Sequence, residues 1–124
     1  MKNAKQEFLA SILNDGEHYA GLVLGKNGEP DYHLILIPGE SESANWGDSK
    51  KWAASVGGEL PTRREQSMLF ANLKELFKPA WYWSCEQHAA NSYYSWSQRF
   101  GYGTQQDSYK GNELRARAVR RVAI

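Results

Sequence analysis

Gly57-Gly58-Glu59-Leu60-Pro61-Thr62-Arg63-Arg64-Glu65 opens a helix, and Lys78-Pro79-Ala80-Trp81-Tyr82-Trp83-Ser84 opens a sheet; the change of period between these two stretches decides the fold. Thr62 with Glu65 three residues on matches a capping box, in which the threonine holds the first free amides of a helix while the glutamate reaches back. The spacing predicts a helix from there to about Phe77, with Leu69, Leu73, Leu76 and Phe77 on its core side. Beyond Pro79 the apolar period drops from helical to two: residues 81–84, 93–100 and 114–122 alternate like strands. Between them, residues 86–92 and 101–112 are rich in Gln, Asn, Gly, Ser and Tyr and read as loops.

Upstream of the capping box, Trp52, Ala53 and Val56 share one side of a helix over 46–56 that Gly57-Gly58 ends. The Pro38-Gly39 pair and the acidic, serine-rich residues 40–43 read as a loop before it. Residues 19–24 and 32–37 are apolar runs joined by a segment with Asn27-Gly28 and Pro30, a β-hairpin. At the front, Phe8, Leu9, Ile12 and Leu13 recur at helical spacing and Asn14-Asp15-Gly16 supplies a stop. The class expected is α+β in one domain over 1–124: an amino-terminal helix and hairpin extension over 1–40, then a core over 41–124 with an antiparallel sheet and two packed helices.

A chain of 124 residues with 41% hydrophobic side chains fits one core, and its five Trp, seven Tyr and four Phe supply large buried area without disulfides. Cys85 is the lone cysteine, so no internal bridge forms and a reducing compartment is expected. Residues 1–13 contain no long apolar stretch resembling a leader or a membrane span. The net charge of +1 gives no global field for nucleic acid or anionic lipid.

The order of elements and three motifs resemble the Lcl C-terminal domain family of bacterial and phage proteins, related to the C-type-lectin-like fold of formylglycine-generating enzymes. The motifs are residues 57–65, Trp81-Tyr82-Trp83-Ser84, and Ser95-Trp96 with Phe100 ahead of the arginine-rich 115–120 segment. The resemblance implies a twisted antiparallel sheet flanked by two helices, exposed loops on one face, core positions at Trp96 and Phe100, and a phage or prophage origin. Related proteins use the equivalent face to bind ligands. Residues 1–40 depart from the family pattern. The paired catalytic cysteines of formylglycine-generating enzymes cannot both exist in a chain with one cysteine.

Few residues point to chemistry. The acids are scattered, and only Glu65 and Glu86 merit inspection as acid–base groups; Glu65 also reads as a cap or as the ion-pair partner of an arginine in the last strand. His18, His33 and His88 are far apart and lack ligand partners at zinc spacing, so neither a metal nor a cofactor is expected. Cys85 becomes a nucleophile only beside a base such as His88; otherwise it is a small core residue. Gly101-Tyr102-Gly103 follows a strand without leading into a helix, so it is no phosphate loop. Arg115, Arg117, Arg120 and Arg121 alternate with apolar residues as in a half-solvated strand.

Alternation over 93–100 puts Tyr94, Trp96, Gln98 and Phe100 on one side and Tyr93, Ser95, Ser97 and Arg99 on the other. The second side, joined by His88, Tyr102, Gln105, Gln106 and Tyr109 from the loops, mixes tyrosine, arginine and amides, which give rigid contact area and adaptable hydrogen bonds. The expectation is a non-enzymatic binding module of phage or prophage origin. It would hold a host or phage protein through the 86–110 face, in the host cytoplasm or on a virion. No membrane contact is expected, and a homo-oligomer stays open. The alternative is a nucleic-acid-associated phage protein using Arg63, Arg64 and the carboxy-terminal arginines, although nucleic acid is not the expected partner.

Overall fold

A computed structural model describes residues 3–124; Met1 and Lys2, the start of the stretch read above for a leader, lie outside it. Among the described residues the chain is α+β, with three α-helices and two sheets of mostly antiparallel strands. In order these are α1 (Ala4–Ile12), β1 (His18–Val23), β2 (Tyr32–Leu36), β3 (Ser41–Ala44), α2 (Trp46–Ser55) and α3 (Arg63–Leu73). A 3-10 turn (Lys74–Leu76), β4 (Trp81–Gln87), β5 (Tyr94–Arg99), β6 (Thr104–Tyr109), β7 (Leu114–Ala116) and β8 (Val119–Ala123) follow. The smaller sheet runs β1-β2-β8 and the larger β3-β7-β4-β5-β6.

The capping box forms as the sequence dictates. The Thr62 hydroxyl accepts from the Glu65 amide at 3.1 Å, and the Glu65 carboxylate accepts from the Thr62 amide at 2.8 Å. At the end of α2, Gly57 lies in the left-handed region (φ 86°), a backbone conformation that strains residues with a side chain, and the Gly58 amide returns to the Ala53 carbonyl at 3.0 Å. Gly58 has no room for a side chain: a Cβ there would lie 2.5 Å from the Val119 carbonyl oxygen. That close approach lets Glu59 and Val119 exchange backbone hydrogen bonds at 3.0 and 2.9 Å.

Four segments differ from the sequence reading. Residues 104–109, read as loop, form β6, paired with β5 without a break from Tyr94↔Tyr109 to Arg99↔Thr104. Its polar composition hid it, because one face is solvated and the other meets α3 through an amide, leaving no apolar alternation to detect. Ser41–Ala44, also read as loop, pairs with β7 across an irregularity. The 114–122 strand is broken at Arg117-Ala118, so β7 belongs to the large sheet and β8 to the small one. The predicted helix to Phe77 is α-helical to Leu73 and tightens to a 3-10 turn after it.

Two clusters fill the interior. One gathers Ala20, Val23, Leu34, Leu36, Leu69, Tyr82, Phe100 and Val119 between the small sheet, α3 and the large sheet. Phe77 stacks on Phe100 at 3.9 Å between centroids, with Tyr82 edge-on to both. The other gathers Ile37, Ala53, Leu60, Trp83, Ala116 and Ala118 beneath α2. The hairpin of the front segment thus contributes Ala20, Val23, Leu34 and Leu36 to the interior, whereas α1 has no buried residue and leans on the small sheet through Phe8, 4.9 Å from the His33 ring.

The carboxy-terminal arginines fasten the last two strands to α3 and to the segments that flank the other elements. Arg121 grips Glu65 with two bonds at 2.7 and 2.8 Å, and the Tyr32 hydroxyl donates to the same carboxylate at 2.5 Å. Arg120 holds Glu17 with bonds of 2.8 and 2.7 Å and also the Ile12 carbonyl at 2.5 Å. Arg115 pairs with Glu40 at 2.6 Å, and Tyr82 donates to that carboxylate as well. Arg117 bonds the Leu76 and Ile37 carbonyls at 2.8 and 3.2 Å, and burial pulls its pKa down. Glu65 is fully buried; burial pushes its pKa up, but Arg121, Tyr32 and the Thr62 amide together outweigh that and hold it below the usual carboxylate range.

Candidate binding surface

The surface grows from the way α3 is fastened to the sheet. Gln66 donates from Nε2 to the Tyr82 carbonyl at 3.1 Å, and its own carbonyl accepts from Gln98 Nε2 at 2.8 Å. Gln105 Nε2 then bonds both Gln98 Oε1 at 2.9 Å and the Arg63 carbonyl at 2.8 Å, while Arg63 Nε returns to Gln105 Oε1 at 3.0 Å. Glu86, inspected in sequence for acid–base work, accepts from the Arg63 amide at 2.6 Å and so holds the first turn of α3. These bonds fix the Arg63 guanidinium 3.6 Å from the centre of the Trp96 ring.

Trp96 is therefore half-buried beneath Arg63, not a core residue as the family resemblance implied. The His88 ring lies 5.5 Å from it, nearly parallel at 21°. His88 Nδ1 accepts from the Ala90 amide at 3.1 Å, which in the neutral ring places the proton on Nε2, 4.0 Å from Asp107. Asp107 is the cross-strand partner of Trp96, and Tyr109 that of Tyr94, the two tyrosine rings meeting edge-on at 6.1 Å. His88, Trp96, Asp107, Tyr94 and Tyr109 thus form one shelf on the α3 side of the sheet, beyond the amino-terminal end of the helix.

The residues singled out in sequence do not share a face. Cross-strand partners project to the same side, so Gln105 and Tyr109 follow Gln98 and Tyr94, away from Arg99 and Ser97. Gln105 is committed to α3. Gln106 faces the other way, beside the buried Ser97 and Ser108, whose hydroxyls meet at 2.9 Å. Tyr93, 70% exposed, sits just before β5, where its carbonyl accepts from the Lys110 amide. Arg99 and the 71% exposed Tyr102 pack together, 4.7 Å apart, at the opposite end of the β5–β6 hairpin. Six residues of strand put about 20 Å between the two ends.

Two cavities lie elsewhere. One of about 530 Å³ opens beside the 3-10 turn, lined by Lys74, Glu75, Phe77, Pro79, Phe100 and Gly101. The other, about 220 Å³, has Lys50, Glu59, Leu60 and Cys85 in its wall. Burial pushes the Cys85 thiol up, away from the reactive thiolate, and Cys85 packs in the cluster beneath α2 while His88 lies on Trp96. Cys85, His88 and Glu86 thus have separate surroundings and separate duties. Among the described residues no three His, Cys, Asp or Glu side chains come together as metal ligands, and no helix is long and apolar enough to cross a membrane.

Sequence reasoning missed Tyr94, Trp96 and Asp107 as surface groups and placed Arg63 with the nucleic-acid alternative. Strand alternation had already put Tyr94 and Trp96 together; only the pairing of β6 adds Asp107 and Tyr109 to them. No protein-family model and no curated protein matches this chain.

Proposed function

We propose that this chain is a non-catalytic protein-binding module whose working surface is the shelf of His88, Tyr94, Trp96, Asp107 and Tyr109. The observation that carries this reading is rigidity combined with exposure. Aromatic side chains, the 52% exposed Tyr109 among them, stand on strands that are locked to α3 by the chain of amides through Gln105. Such pre-placed aromatic area loses little entropy on binding and is where interface energy concentrates.

The resemblance to phage and prophage proteins supports a host or phage protein as the partner. Two helices, α2 and α3, beside a largely antiparallel sheet, with the first and last strands united in the small sheet, suit a C-type-lectin-like arrangement. Nucleic acid is the weaker reading: each of the four carboxy-terminal arginines has carboxylate or carbonyl partners within the chain, which leaves little of that charge for phosphates.

Tyr94→Ala with Tyr109→Ala, set against Arg99→Ala with Tyr102→Ala, tests the reading by capture from bacterial lysate at two salt concentrations. The first pair is expected to weaken a salt-tolerant protein partner by about 30-fold, the effect of losing one hot spot. A partner indifferent to the first pair and lost with the second would move the site to the hairpin tip and end this assignment.

A further inference from the structure

Two sheets present four outer strands, and three of them are closed to a newcomer. β1 is bulged between Tyr19 and Gly21 and covered by α3, where Asn72 donates to the Ala20 carbonyl at 2.6 Å and Met68 lies against Gly21. β3 is four residues long and irregular. β8 is bridged at Val119 by Glu59, and Glu59 reaches Arg121 further along it. β6 has none of these defences: six residues in unbroken register, with no proline, lysine or bulge. Natural sheets normally blunt such an edge.

Which β6 groups point outward follows from the ladder. The Lys110 amide donates to the Tyr93 carbonyl, and the Gln106 carbonyl lies within reach of the Ser97 hydroxyl at 3.3 Å, so Gln106, like Ser108, turns its backbone inward to β5. By alternation the N–H and C=O groups of Gln105 and Asp107 face away from the sheet, as does the N–H of Tyr109, whose carbonyl accepts from the Asn112 amide at 2.9 Å. Their side chains lie on the shelf side.

We propose that β6 is held open for strand addition: an extended segment of a partner protein pairs antiparallel with it, carrying a cation opposite Asp107 and an apolar side chain opposite Tyr109. This names the partner class for the shelf and rests on that reading. Asp107 is the only charged side chain on β6, and a directly opposed cation completes it. A second copy of the chain fits less well, because the two-fold register that engages all three outward residues sets Asp107 against its own image.

Amide hydrogen exchange reads the outcome. In the free protein the Gln105, Asp107 and Tyr109 amides exchange nearly as fast as in an unfolded peptide, while those of Gln106 and Ser108 are slow. A capped Thr-Val-Thr-Lys-Thr-Val-Thr peptide at millimolar concentration slows the three fast amides about tenfold, and the same peptide with glutamate for lysine does so several-fold less. No slowing with either peptide overturns strand addition, and equal slowing overturns the cation. Protection that rises with protein concentration alone, with a doubled mass, assigns the edge to a second copy and overturns the proposal.

Asp107→Pro beside Asp107→Ala separates this from the parent reading, since both remove the shelf carboxylate but only the proline deletes an outward N–H, the β5 ladder staying intact and the fold checked by the near-ultraviolet signal of the tryptophans. A captured partner that survives Asp107→Pro but is lost with Tyr94→Ala and Tyr109→Ala sinks strand addition alone. One that survives both sinks the shelf as well.

Discussion

Arg121→Met should destabilise the chain strongly, and its repair should be specific. The Glu65 side chain is 0% exposed, and two of the hydrogen bonds reaching its carboxylate come from Arg121 at 2.7 and 2.8 Å. Removing the guanidinium leaves a buried anion with only the Tyr32 hydroxyl and the Thr62 amide, a loss of the kind that costs about 3–5 kcal/mol. Because the Arg121 side chain is 27% exposed, the lower end, about 3 kcal/mol, is the better figure; its bond to Glu59, 72% exposed, adds little. Spread over 124 residues at about 2.1 cal/mol/K each, that loss lowers Tm by about 12 °C. Adding Glu65→Gln to Arg121→Met removes the orphaned charge; the amide oxygen can accept from the Thr62 amide while the amide NH2 donates to the Tyr32 hydroxyl, so the double variant should return to within about 1 kcal/mol of the parent. Urea unfolding and calorimetry of the parent, the single and the double variant measure this. A single variant that loses less than about 1 kcal/mol, or a double variant no better than the single, would refute the idea that a desolvated ion pair joins α3 to the last strand.

The same carboxylate sets an acid limb. Its folded pKa is below the unfolded one, so its contribution is present above the ordinary carboxylate range and is lost as pH falls through the folded value; the denaturation midpoint should drop below about pH 4, and less steeply in the Arg121→Met, Glu65→Gln variant. Burial, with the bond to Glu65 second, pushes Tyr32 up to about 12, so its share of stability is intact below about pH 10 and disappears as pH rises through 12, which Tyr32→Phe should abolish in an alkaline titration followed by circular dichroism. Gly58→Ala should cost about 1–3 kcal/mol by forcing apart the Glu59–Val119 bridge, seen as a lower urea midpoint with an unchanged slope.

What could be read in the sequence was whatever has a local cause. The Thr62–Glu65 box, the Gly57-Gly58 stop and the turn residues of the first hairpin each act within a few positions, and each stands where expected. Glu65 offered two readings, cap and ion-pair partner, and it is both. Elements without a local cause were invisible. The break at Arg117-Ala118 exists because the chain must leave one sheet for the other, with the Ala118 carbonyl accepting from Ile37, and nothing in the alternating arginines announces it.

The shelf was half-legible for a related reason. Faces along 93–100 follow from period two, but which face meets solvent depends on where α3 stops. Gln98 and Phe100 are covered by the helix and the interior, whereas Trp96 and Tyr94, on the same side, lie past its amino-terminal turn. A polar strand such as Thr104–Tyr109 carries no apolar signature because its neighbours satisfy it through amides rather than burial. The property that hid β6 from the sequence, a solvated edge with little apolar surface, is the property that leaves its backbone open to a partner strand.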